Sequence, residues 1–139
     1  MNSIKDELQI HATSAQVYAA LTQQSGYRSW WNAVAEVPEV VGGEAQLRFV
    51  KDGTPVNMRF RIDSLQPHVG VKWTCIGHDM PSWVGTTLDW KLSAQGGSVL
   101  VSFEHAGWKD GGPDAVAQGW KYFLGSLKLY LETGTGQPW

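Results

Sequence analysis

The sequence predicts an α+β fold in which a curved, seven-stranded antiparallel sheet wraps a long C-terminal helix, with two short helices after the first strand. Three observations carry this expectation. Apolar and polar residues alternate with period two through most of the chain, an apolar stripe at spacings of three and four runs near its C-terminal end, and eight tryptophans among 139 residues need interior space. A chain of this length suits one domain, so residues 1–139 are read as a single unit able to bury a core without disulfide or metal staples.

Ser3 to Ile10 opens the chain as a half-buried strand, with Ile4, Leu8 and Ile10 on one face and Lys5, Glu7 and Gln9 on the other. Ser14 offers a helix N-cap, and Val17, Tyr18 and Leu21 recur at helical spacing to about Thr22. Gly26 ends that helix, and Tyr27 to Asn32 reads as a second, very short helix or turn carrying Trp30 and Trp31. Period two returns at Val34 and is interrupted at Gly42-Gly43, Asp52 to Pro55, Pro67-His68, Gly77 to Pro81 and Gln95 to Gly97, which delimits six further strands. The expected inward sets are Ala45, Leu47 and Phe49; Val56, Met58, Phe60 and Ile62; Val71, Trp73 and Cys75; Val84, Thr86, Leu88, Trp90 and Leu92; and Val99, Val101, Phe103 and His105. The strand over Val34 to Val41 shows no clear face. Arg59, Arg61, Asp63, Asp89 and Lys91 fall outward, and the short connections favour an antiparallel meander. Gly111-Gly112-Pro113-Asp114 then suits a helix start. Val116, Trp120, Phe123, Leu124, Leu127 and Leu131 form the stripe, and Gly134 is a natural stop. Pro113 to Thr133 would span roughly 30 Å, enough to cross a small domain and cover the apolar face of the sheet.

Composition excludes several classes. Eleven Lys and Arg against thirteen Asp and Glu give a net charge of −2, and the cations are scattered, so a nucleic-acid surface is not expected. Cys75 is the sole cysteine, which rules out an intrachain disulfide and a cysteine zinc site and suits a reducing compartment. Met1 to Ile10 has no continuous apolar run for a signal peptide, and no segment is long enough to insert in a bilayer; a cytoplasmic location is the expectation. His11, His68 and His78 fall near element ends without metal-ligand spacing, and Asp79 reads as a turn former. Neither a metal nor another cofactor is expected.

Two motifs refine the fold. Ala12 to Thr22, followed by Trp30-Trp31, and Gly119 to Gly134, followed by Gly136 and Pro138, resemble the START-related helix-grip superfamily. That superfamily includes pollen-allergen-like proteins, polyketide cyclases and homologues of the heat-shock-protein-90 ATPase activator, and the chain looks most similar to the last group. The resemblance covers nearly the whole chain and implies a helix-grip fold with an internal cavity between sheet and helix. It names no reaction.

The sharpest acid/base candidate is His105, placed inward with Val101 and Phe103; in the superfamily's usual sheet order the first and last strands are neighbours, which would set Asp6 beside it. An inward polar pair near a rim is more often a satisfied structural hydrogen bond than a catalytic one. Trp73, Trp90, Phe60, Phe49, Met58 and Phe103 from the sheet, with Trp120 and Phe123 from the helix, are the expected pocket walls; Thr86 and His105 would orient a ligand, and Trp30, Trp31, Trp83 and Trp108 would stand at the mouth. Gly119 and Gly125, each costing about 1 kcal/mol inside a helix, imply either close packing or room for a ligand. Three functions fit: a carrier or sensor for a hydrophobic, ring-containing small molecule; an enzyme of the cyclase or dehydrase kind using His105; and a chaperone-associated interaction domain. An exposed aromatic surface would also suit a homodimer.

Overall fold

A computed structural model describes residues 3–109 and 113–139. The expectations placed on Met1 and on Gly111 and Gly112 lie outside these residues. Among them, six strands form one antiparallel sheet: β1 (Ser3–Ile10), β2 (Glu44–Lys51), β3 (Thr54–Gln66), β4 (Gly70–His78), β5 (Thr87–Gln95) and β6 (Ser98–Ala106), in the order β1-β6-β5-β4-β3-β2. Helices α1 (Ser14–Ala20) and α2 (Gln24–Trp30) follow β1, and α3 (Asp114–Thr133) closes the concave face. The meander and the neighbouring first and last strands agree with expectation, as do the extent of α3 and its stop at Gly134, which takes the left-handed conformation at φ 89°.

The expected seventh strand is absent among the described residues. Val34 to Val41 touches β2 only through the Glu36–Gln46 bridge, where each amide donates to the other's carbonyl at 2.8 Å. Pro38 has no N–H to continue a ladder, and although Ala35 and Val37 are buried, Val34, Val40 and Val41 are each more than half exposed. Ala35 and Val37 do reach the core, but the backbone pairs with β2 only at that one bridge. Val84 is likewise corrected: residues Pro81–Trp83 form a short 3₁₀ turn, β5 begins at Thr87, and Val84 faces water.

The helical starts also shift. Thr13, not Ser14, caps α1: its hydroxyl accepts from the Gln16 amide at 3.1 Å while the Gln16 side chain accepts from the Thr13 amide at 2.9 Å. Gly26 does not end a helix but sits inside α2, where a side chain would strike the Ala20 backbone at 2.7 Å. Glycine there permits α1 and α2 to touch.

Curvature comes from β3 and β4. Their register slips between Arg59 and Phe60, leaving Ile76 as the extra residue on β4, and again between Ile62 and Ser64, leaving Asp63 extra on β3. Each bulge increases local twist and reverses the facing of the residues beyond it. The first slip decides the site, because it pairs His78 with the inward Met58 where simple alternation from Cys75 would have turned His78 out.

The buried Asn32 ties three segments together. Its Nδ2 donates to the Arg48 carbonyl at 2.6 Å and to the Trp139 backbone oxygen at 2.9 Å, and its Oδ1 accepts from the Arg48 amide at 3.1 Å. Ser126 does the same lower down, donating to the Trp30 carbonyl and accepting from the Gln137 amide, each at 2.7 Å. Because an unsatisfied buried amide costs about 1–3 kcal/mol, Asn32→Leu is expected to destabilise the fold by at least about 2 kcal/mol in urea unfolding. A midpoint within error of the parent protein would show that Asn32 is not an anchor.

Candidate functional site

The concave face of the sheet is largely filled by aromatic rings rather than left open. Trp90 and Phe103 pack at 4.4 Å between ring centroids, Phe103 and Trp120 at 4.4 Å, and Tyr27 and Trp73 at 4.8 Å, while Trp30 stacks on Trp31 at 5.7 Å. Rings packed this closely form a solid floor. Space remains toward the β2–β3 end, where the bulged sheet curves away from the first half of α3. A cavity of about 260 Å³ lies there, walled by Trp31, Phe49, Met58, Trp83, Trp120 and Phe123, with Gly119 on its helical side.

Six of the expected ligand-binding residues therefore meet at one cavity: Trp31, Phe49, Met58, Trp83, Trp120 and Phe123. Trp30, Phe60, Trp73, Thr86, Trp90, Phe103 and His105 do not line it; they are buried in the packed floor. Alternation identified them as inward but could not divide inward space into filled and open parts. The lining also includes His78, Met80, Val56, Val116, Tyr122 and Trp139, which were not among the expected site residues. His78 was hidden by the β4 bulge. Trp139 reaches the rim because the segment after α3 folds back, its amide donating to the Trp31 carbonyl at 3.0 Å.

Gly119 and Gly125 separate cleanly. A Cβ on either would meet no atom within 4 Å, so neither permits close packing. Gly119 opens onto the cavity, whereas Gly125 is exposed to solvent and bears on no site.

His105 is completely buried, and both of its ring nitrogens are engaged. Trp120 Nε1–H donates to Nδ1 at 3.0 Å, which leaves the ring proton on Nε2 to donate to Thr86 Oγ at 2.8 Å, and the Thr86 hydroxyl donates onward to the Trp83 carbonyl at 2.6 Å. Burial, with a smaller contribution from His78, lowers its pKa from 6.5 to about 3. It is a neutral hydrogen-bonding core residue at physiological pH, with no nitrogen left open toward a substrate. The expected pairing with Asp6 does not form: Ile4 lies across from His105, Asp6 lies across from Phe103, and the Asp6 carboxylate accepts from the Glu7 amide at 2.8 Å. Asp6 instead borders a charged depression of about 580 Å³ shared with Lys5, Glu7, Asp89, Lys91 and Glu104, which lacks the apolar walls of the other cavity.

His78 differs from His105. Its Nδ1 accepts the Met80 amide at 2.8 Å, its ring stacks on Trp83 at 4.4 Å and 15°, and burial lowers its pKa to about 4 against the opposing pull of Asp79. The Asp79 carboxylate is itself fixed by the Asn57 amide at 2.8 Å and the Asn57 side chain at 3.0 Å. Buried Cys75 has its thiol pKa raised to about 11, chiefly by burial, so it is protonated and unreactive near neutrality. No group of three or more metal-ligating side chains occurs among the described residues, and none of their helices is long and apolar enough to cross a membrane.

Set beside known proteins, residues 11–132 match the sequence profile of the family described as Activator of Hsp90 ATPase homolog 1-like protein. No curated protein is significantly similar in sequence. Among solved structures, the solution structure of the Aha1 dimer from Colwellia psychrerythraea is 29% identical, with a TM-score of 0.81 over 98% of this chain and 100% of that one. A Chromobacterium violaceum crystal structure is 20% identical, with a TM-score of 0.83 over 94% of this chain and 97% of the other. CalU16 from Micromonospora echinospora is 18% identical, with a TM-score of 0.75 over 97% of this chain and 76% of its own.

Proposed function

The chain belongs to the Activator of Hsp90 ATPase homolog 1-like family, and from that premise together with its apolar cavity we propose that it binds a hydrophobic, ring-containing small molecule as a carrier or sensor. The single observation that carries this reading is the apolar cavity of about 260 Å³ beside Gly119, adjoining a closely packed floor of rings. Four tryptophans and two phenylalanines around one small volume present flat apolar faces at low conformational cost, which favours a flat guest. The sealed hydrogen bonding of His105 supports binding rather than proton transfer through that residue.

Native mass spectrometry of the purified protein, followed by tryptophan-fluorescence titration with one- and two-ring aromatic compounds and a medium-chain fatty acid, tests the reading. A retained mass or saturable quenching by ring compounds is expected. Failure of every ring compound to bind would remove the carrier function and favour a chaperone-associated interaction module.

Self-association is a second reading with its own support. Val34, Val40 and Val41 are each more than half exposed beside the β2 edge, and the Colwellia relative is a dimer. Sedimentation at increasing protein concentration should reveal a dimer; a particle of one chain throughout would discard it.

A further inference from the structure

Two residues that line this apolar cavity carry buried ring N–H groups that the fold leaves unused. His78 Nδ1 is occupied as an acceptor for the Met80 amide, so the neutral ring carries its proton on Nε2. That Nε2 is buried and has no hydrogen-bond partner among the described residues, and the same holds for Nε1 of Trp83, the indole stacked on it. Both residues line the cavity, and Asp79, the nearest carboxylate in sequence, is committed to Asn57. Buried donors without partners are rare in folded proteins, and their desolvation is repaid only by an incoming acceptor. The neighbours at this end include Met58 and Met80, whose unbranched side chains can rearrange around a guest.

We propose that the ligand carries an acceptor oxygen, of the ring-ketone class, and that this oxygen docks on His78 Nε2–H while the apolar ring lies against Trp31, Trp120 and Phe123. The proposal rests on the cavity being the ligand site and adds its polar specificity. An uncharged carbonyl suits a donor that is itself uncharged: burial keeps His78 neutral down to about pH 4. A site built to satisfy a particular acceptor discriminates strongly against the analogue that lacks it, because the donor is then left buried and unpaired.

The test compares 2-acetylnaphthalene with its hydrocarbon counterpart 2-ethylnaphthalene, measured by tryptophan quenching against the parent protein and His78→Phe. The parent should bind the ketone about tenfold more tightly, in line with one buried hydrogen bond. His78→Phe should lose the preference for the ketone over the hydrocarbon. In the parent protein, nitrogen-15 resonances of the imidazole should in addition show Nε2 shifting on addition of the ketone and not of the hydrocarbon, a readout independent of how the variant folds. Equal affinity for both probes, or a preference that survives in a folded His78→Phe protein, overturns the carbonyl anchor alone. Binding of neither probe overturns the cavity reading as well.

Discussion

His105→Leu is expected to cost about 2–3 kcal/mol of folding stability at pH 7, and that cost should shrink by about 2 kcal/mol at pH 5. The first part follows from geometry. Leucine fills nearly the same volume but cannot accept from Trp120 Nε1–H, which then lies buried without its partner, and Thr86 loses the donor on its oxygen while keeping its own bond to Trp83. The second follows from proton linkage. The unfolded chain protonates this histidine at its ordinary 6.5, whereas the folded protein refuses the proton until about pH 3. Between those values the unfolded state binds more protons, so the parent's stability is complete above pH 6.5 and declines as pH falls, by about 1.4 kcal/mol per unit for this residue. His78, depressed to about 4, adds a similar slope over the upper part of the window, and it does so in both proteins. The leucine variant lacks only the His105 contribution. Urea unfolding at pH 7, 6 and 5 would trace the converging curves. A difference that stays constant with pH would mean that folded His105 takes up its proton normally and that the buried neutral relay is wrong.

That histidine also marks how far sequence reasoning reaches. Alternation along β6 correctly turned His105 inward, and the strand order brought β1 beside it, yet the side chain found its partners on α3 and on the Trp83–Thr86 turn, not on Asp6. Strand period reports the face a residue occupies; it does not report which group from another element reaches the same point. The long helix was legible because its stripe and its Gly134 stop agree. The strand expected over Val34 to Val41 failed because its backbone meets β2 only at Glu36, although Ala35 and Val37 are buried, and Pro38 cannot complete a ladder. At the candidate site the decisive error was one residue: the bulge at Ile76 reverses the facing of everything after it, and no local signal separates that stretch from an ordinary strand end. The Gly77 to Pro81 break was visible; its consequence for His78 was not.

Gly119 offers the largest expected effect on binding. The helix interior gains about 1 kcal/mol when glycine becomes alanine, and a Cβ at this position meets no atom within 4 Å, so Gly119→Ala should raise the melting temperature without disturbing any contact. Gly119→Phe keeps the helical gain but projects a ring into a cavity of only about 260 Å³, so it should fold at least as stably as the parent and weaken ring-ligand binding by about a hundredfold or more, equivalent to about 2.7 kcal/mol. Gly125→Phe supplies the control on the same helix: it too faces open space, but on the solvent side, and should leave affinity unchanged. Thermal melts and fluorescence titrations of the three variants separate stability from occupancy. If Gly119→Phe stays folded and still binds with parental affinity, the ligand does not sit between α3 and the β2–β3 end of the sheet, and the glycine has some other reason to be there.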